Sequence, residues 1–257
     1  MLVVGDGPDR FLIDNHFEGV LLGDCYAGYT GIALRSDAAI SHAACVAHAR
    51  RKVFEARLNH PAHASRLLAM FQELYDIEDE GEGDLTRLAR LRDEKSQPVW
   101  SRLRAYLDES MAGVLPKEAI GQAAGYLNNQ WTALTRHLAD ARIPIDNNAT
   151  EQLMKQIAIG RKNWLFIGSV PAGHRAADLM TLASSALRND LDVWAYLKGV
   201  IDALLSGTTN FHDLRPDVWA INHPDQIRHY RIEERRDRAD RKQRRRTTRQ
   251  TNSQPQP

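Results

Sequence analysis

The chain reads as an α/β protein with a long all-helical stretch and a helical C-terminal part. Three observations lead there. Gly19 to Gly23 (Gly-Val-Leu-Leu-Gly) is a short apolar run bounded by turn residues, and Ala39 to Ala44 is a second run of strand character. From about Ala62 to Asp140 the apolar residues recur at helical spacing throughout.

The chain opens with Leu2, Val3 and Val4, a Gly-Asp-Gly-Pro turn and a helical stretch from Asp9 to Phe17. The run Gly19 to Gly23 is apolar on both faces, as a central strand covered by helices would be. Asp24 sits at its C-terminal end, where open α/β sheets bind ligands. It reads either as a metal or substrate ligand or as an ordinary turn aspartate.

A helix is expected from about Val46 to Asn59, carrying Arg50-Arg51-Lys52. At its start Cys45 and His48 form a Cys-x-x-His pair, with His42 just before. A zinc site normally takes four ligands and no second cluster is visible, so the alternative is a buried thiol beside a helix-start histidine.

In the helical region Leu67, Met70, Phe71, Leu74 and Tyr75 form one stripe, and an acidic link from Glu78 to Asp84 separates it from Leu85, Leu88 and Leu91. Pro98 interrupts the next stretch, which continues through Trp100, Leu103 and Leu107, and Pro116 falls where a first-turn proline is tolerated. Ile120, Ala124, Leu127, Trp131, Leu134 and Leu138 then make one continuous helical face.

The most informative stretch is Asp146-Asn147-Asn148-Ala149-Thr150-Glu151, inside an amphipathic element from Ile143 to Ile159. With Asn148 as cap, Glu151 stands at the third helical position and can close a capping box. The same placement suits a metal-binding acid, and both readings stay open at this level. Gly160-Arg161-Lys162 leads into an expected strand, Asn163 to Ile167. Two helices follow, Arg175 to Arg188 and Val193 to Leu205, split by Asn189-Asp190, and Leu214 to Trp219 closes the ordered part. The remainder is Arg-rich, with one charged helix near Glu233 to Arg246 and otherwise no expected order.

The formal net charge of +1 hides an asymmetry. Arg228 to Arg249 holds 11 Lys/Arg against 4 Asp/Glu, or +7, leaving 23 basic against 29 acidic residues, or −6, for the rest. A nucleic acid must therefore meet local basic patches and the tail. No window approaches a membrane span and no signal peptide opens the chain, so a soluble, cytoplasmic protein is expected, with Cys25 and Cys45 as thiols.

The Asp146 to Glu151 run, the block Gly160 to Ser169, Asp24-Cys25-Tyr26-Ala27-Gly28-Tyr29 and Cys45-Val46-Ala47-His48-Ala49-Arg50-Arg51-Lys52 together resemble the transposases of the insertion sequence 66 family. Asn129-Gln130-Trp131 and Asp192 to Leu197 fit the same pattern, so the resemblance covers about residues 10 to 220. It implies a ribonuclease-H-like fold whose two aspartates and one glutamate bind two Mg²⁺ or Mn²⁺ ions. Asp24 matches the second aspartate and Glu151 the glutamate. The resulting division is 1–60 for part of the ribonuclease-H-like core, 61–140 for a helical insertion, 141–220 for the rest of the core, and 221–257 for a basic, disordered tail.

The implied partners are insertion-sequence ends and target DNA, held by a homo-oligomer, with no membrane. Lys155, Arg161 and Lys162 are the phosphate-binding candidates. Trp164 either stacks on an unpaired base or belongs to the core. Asp6, Asp9 and Asp14 stand too near Asp24 to be the family's first aspartate, so that residue and most of the family's N-terminal region are expected to be missing. On that expectation the chain alone does not cut DNA, the strand before Asp24 lies at an edge, and a non-catalytic DNA-binding or oligomerising remnant is the alternative. A ribonuclease or resolvase on the same fold is disfavoured by the insertion and the Gly160 to Ser169 block.

Overall fold

The computed structural model describes residues 12–13, 16–111, 113–164 and 167–252. The apolar start, the Gly-Asp-Gly-Pro turn, most of the Asp9 to Phe17 stretch, and Asp6, Asp9 and Asp14 lie outside them. The chain divides into two compact units, Met1–Lys155 and Gln156–Pro257.

In the first unit, β1 (Gly19–Gly23) and β2 (Ile40–Ala44) pair in parallel, with Gly19 opposite Ile40 and Gly23 opposite Ala44. Helix α1 (Ala27–Arg35) makes the crossover that a parallel pair requires. Among the described residues this is the whole sheet. Ile40, Ala43 and Ala44 of β2 are buried, whereas Val20 of β1 is 36% exposed, so β1 is not covered on both faces as its composition suggested.

The rest of the unit is helical. Helix α2 (Val46–Glu55) passes through a 3₁₀ turn (Ala56–Leu58) to α3 (Pro61–Glu80), which starts on a first-turn proline. Leu67, Met70, Phe71 and Leu74 are buried as expected. The acidic link turns at Gly83, φ +88°, and Asp84 caps α4 (Leu85–Leu91) by accepting the Arg87 N–H at 3.0 Å. Leu85 faces solvent at 55% exposure, unlike Leu88 and Leu91.

A π turn (Arg92–Ser96) joins α4 to α5 (Gln97–Glu109). Leu88, Arg92, Ser96 and Trp100 are all buried at steps of four. On a regular helix each such step drifts by about 40°, and the wider turn takes up part of that drift. Pro98 sits in the first turn of α5 and does not break the path.

Helix α6 (Ala119–Asn129) ends before Gln130, followed by α7 (Trp131–Thr135) and a 3₁₀ turn (Arg136–Ala139). The expected single face from Ile120 to Leu138 is therefore three pieces, though Ile120, Leu127 and Leu134 all reach the core. Pro116 precedes α6 instead of opening it.

Helix α8 (Asn148–Trp164) overturns the expected strand, because Asn163 and Trp164 are its last residues. The lone Gly160 is tolerated inside a helix; Leu165 and Phe166 lie outside the described residues. The second unit contains α9 (Val170–Arg188), α10 (Val193–Leu205), α11 (Pro216–Asn222) and α12 (His229–Asn252). Its core gathers Ala186, Leu191, Tyr196, Val200 and Trp219. The Arg-rich helix takes in the expected Glu233 to Arg246 and extends beyond it on both sides.

Candidate active site

The two strands run parallel, so their C-terminal ends share one edge, and Asp24 follows β1 there. The ladder continues past β2 with the Cys45 N–H donating to the Gly23 carbonyl at 2.8 Å. Asp24 follows directly, half-buried, and its Oδ1 accepts the Tyr26 N–H at 3.2 Å. Its carbonyl faces His42 Nε2 at 3.2 Å, which assigns the proton to that nitrogen. Burial, and then the nearby Arg136 charge, hold the His42 pKa below the usual histidine value against that hydrogen bond.

Glu151 meets the start of α2, the helix that follows β2. The Val46 N–H donates to the Ile145 carbonyl at 3.1 Å, which ties the start of α2 to the segment leading into α8. The Glu151 N–H donates to the Asn147 carbonyl at 3.0 Å, so Asn147 is the residue flanking the helix and Glu151 stands one place further in than a capping box needs. Its carboxylate goes instead to His48, with Oε1 3.3 Å from Nε2. Both side chains are partly exposed, at 38% and 21%.

Asp146, the other acid of the run, is already engaged. Its Oδ2 accepts the Tyr75 hydroxyl at 2.9 Å and the Asn148 side-chain amide at 2.7 Å, and its Oδ1 accepts the Asn148 N–H at 3.1 Å. Burial and then the Asp146 charge push the Tyr75 hydroxyl pKa far upward, so it stays a donor.

Cys45 is fully buried beneath this edge. Burial raises its thiol pKa, partly offset by the N–H groups of Asn147, His48 and Ala47 facing the sulfur. Cys25 Sγ accepts the Tyr126 hydroxyl at 3.0 Å, and Lys52 Nζ lies 4.9 Å from the centre of the Tyr126 ring. The His42 ring thus faces the Asp24 carbonyl and the His48 ring the Glu151 carboxylate. Among the described residues no three His, Cys, Asp or Glu side chains form a group that could hold a metal ion.

The basic candidates lie on α8. Lys155 and Lys162 are exposed, and Lys155 stands one turn after Glu151. Arg161 and Trp164 belong to the same helix, and their side chains lie outside the described residues. Sequence reasoning missed Tyr75, Arg136 and Arg92. Tyr75 looked like one more member of an apolar stripe, and nothing local marks its partner 71 residues on.

The profile of the IS66 transposase family matches residues 5–175, about two thirds of the chain. The chain belongs to this family. Three relatives from Sinorhizobium fredii (strain NBRC 101917 / NGR234), each called an uncharacterized protein, agree with the assignment. The relative y4hP is 31% identical over 233 residues, covering 84% of this chain and 42% of its own. The relative y4jD is 33% identical over 204 residues, with 77% and 40% covered, and y4qI is 33% identical over 213 residues, with 79% and 39% covered. The chain thus spans about two fifths of the length of these IS66 relatives. No solved structure matches it. Among the described residues no helix is long and apolar enough to cross a membrane.

Proposed function

We propose that this IS66 family chain works in DNA transposition as part of a ribonuclease-H-like catalytic core, with Asp24 and Glu151 as carboxylate ligands of divalent ions. The observation that carries the reading is the placement of Glu151. The first turn of α8 sets its carboxylate against the first turn of α2, the helix that follows β2, and Asp24 follows β1, the parallel partner of β2. Asp146 is the acid of the run that Tyr75 and Asn148 hold, with both of its oxygens accepting hydrogen bonds.

The donor chemistry suits the group the family implies, since Mg²⁺ and Mn²⁺ favour carboxylate oxygens, and the described residues supply two such carboxylates. Bound there, such ions would activate an oxygen nucleophile and stabilise the leaving oxygen of a phosphodiester. The protein's share is positional. His48 holds Glu151 against the start of α2, and the Tyr26 N–H fixes one oxygen of Asp24. Lys155, Arg161 and Lys162 supply cationic groups for phosphates, and Trp164 supplies a ring on which an unpaired base can stack. Residues 61–140 act as an insertion that braces the glutamate's helix. Two insertion-sequence ends call for a homo-oligomer that holds them together.

The test is Mn²⁺ binding to the purified chain, followed by electron paramagnetic resonance. Asp24→Asn and Glu151→Gln should each weaken binding at least tenfold, while Asp146→Asn should act only through stability. Unchanged binding in both of the first two variants would remove the carboxylates from the metal site. A specific observation keeps a second reading in play. Glu151 leans on an imidazole, and among the described residues no third ligand joins it. A DNA-binding or oligomerising protein without catalysis would show DNA binding with no Mn²⁺ site.

A further inference from the structure

The second unit carries a charge pattern that the carboxylate site does not use. Helix α12 (His229–Asn252) divides at Asp240 into two halves of different chemistry. The first half contains every acid of the helix, Glu233, Glu234, Asp237 and Asp240, among its arginines. It is also tied to its own unit. Arg228, just before the helix, donates to Asp192 Oδ2 at 3.0 and 2.6 Å, and Arg235 makes a two-pronged ion pair with Asp190.

The second half is different. From Arg241 to Asn252 there is no acid and no apolar residue, and six of these residues are Lys or Arg. At 3.6 residues per turn Arg241, Lys242, Arg245, Arg246 and Arg249 fall on one face, within an arc of about 140°. Their like-charged pairs at i,i+4, Arg241 with Arg245, Lys242 with Arg246 and Arg245 with Arg249, oppose the helix unless an anion lies along that face. With no apolar residue, the segment cannot be held by a core, nor can it sink an apolar face into a lipid surface.

We infer that residues 241–249 of α12 form a nucleic-acid contact of their own, lying along the phosphate backbone of double-stranded DNA and binding it without reading sequence. The chemistry is counterion release by a row of Lys and Arg. A helix is also the right size for the DNA major groove, and the basic face extends about 12 Å along its axis. The anchored first half holds this face to the second unit. The inference rests on charge and does not depend on the carboxylate site.

The test is fluorescence anisotropy of a labelled duplex of about 20 base pairs and arbitrary sequence, titrated with the full chain in EDTA at several salt concentrations. EDTA keeps the outcome separate from that of the metal reading. Combined Arg241→Gln, Lys242→Gln, Arg245→Gln, Arg246→Gln and Arg249→Gln should lower the magnitude of the salt slope of log K by about 4 to 5, near 0.9 per lost phosphate contact. Affinity at 0.1 M salt should fall at least tenfold on every duplex, and replacing the four arginines by Lys should preserve most of the slope. Circular dichroism checks that the first half of α12 and the body remain folded. An unchanged slope in the Gln variant overturns the inference. So does a loss confined to one duplex sequence, or equally charge-dependent binding to phosphatidylserine vesicles.

Discussion

His48 Nε2 and Glu151 Oε1 lie 3.3 Å apart, joining the first turn of α2 to the first turn of α8. Any ion that takes Glu151 as a ligand has to share or break this contact. Adding Mg²⁺ should therefore move the His48 ring resonances in ¹H–¹⁵N spectra of the native chain and leave them in place in Glu151→Gln. Equal shifts in both proteins would separate Glu151 from the metal.

Arg92 is 1% exposed and serves several partners at once. It donates to the carbonyls of His137, Asp140 and Ile143 and to both carboxylate oxygens of Glu78. Arg92→Met should cost about 3–5 kcal/mol in urea unfolding, because it strands a poorly exposed carboxylate and three carbonyls. Arg92→Lys should recover only part, since an ammonium cannot reproduce the planar fork. A loss below about 1 kcal/mol for Arg92→Met would show that the segment from His137 to Ile143 does not depend on it.

His137 gives a pH signature. Burial, and then the Arg92 charge, pull its pKa down to about 4. Above about pH 6.5 the ring is neutral in both folded and unfolded chains and contributes no pH dependence. Between about 6.5 and 4 the unfolded chain takes up a proton that the folded chain refuses. Stability should therefore fall with falling pH, by up to about 3 kcal/mol from this group. Unfolding free energies across that range should show the slope in the native chain and a flatter one in His137→Asn. Parallel slopes would refute the assignment.

Two glycines of α6 should respond in opposite directions to alanine. At Gly121 an added Cβ would lie 2.2 Å from the Leu115 carbonyl oxygen, and backbone cannot swing aside as a side chain can. At Gly125 it would meet nothing within 4 Å. Gly125→Ala should stabilise by about 0.5–1 kcal/mol through helix propensity, whereas Gly121→Ala should destabilise despite the same propensity gain. Thermal midpoints that move the same way would contradict the close approach at Leu115.

The strand ends at Asp24 and Cys45 and most of the helical body were legible in the sequence because each rests on local period and local turn residues. Leu67, Met70, Phe71 and Leu74 announced a buried face that the structure bears out. The misses have a common physical cause. Trp164 to Phe166 have strand-like composition, yet α8 runs on through Trp164, since propensity yields to a helix already under way. Arg92 and Tyr75 occupy positions of apolar spacing, and their roles come from carbonyls and a carboxylate far along the chain. Glu151 could be placed in a first turn by its neighbours, but only the fold brings His48 to it.

The site is sewn together by distant residues, and this has a kinetic consequence. Tyr126 reaches Cys25 across 101 positions and Arg136 reaches the His42 carbonyl across 94, whereas the pairs inside α3 and α5 are neighbours. Closing long loops costs entropy before any contact repays it, so the helical hairpins should consolidate first and the strand-end edge last. Pulse-labelled hydrogen exchange should find amides of α3 and α5 protected ahead of the Val46 amide, which waits for the Ile145 carbonyl. Nascent molecules would then pass through an interval in which the scaffold is already built and Glu151 has yet to meet His48.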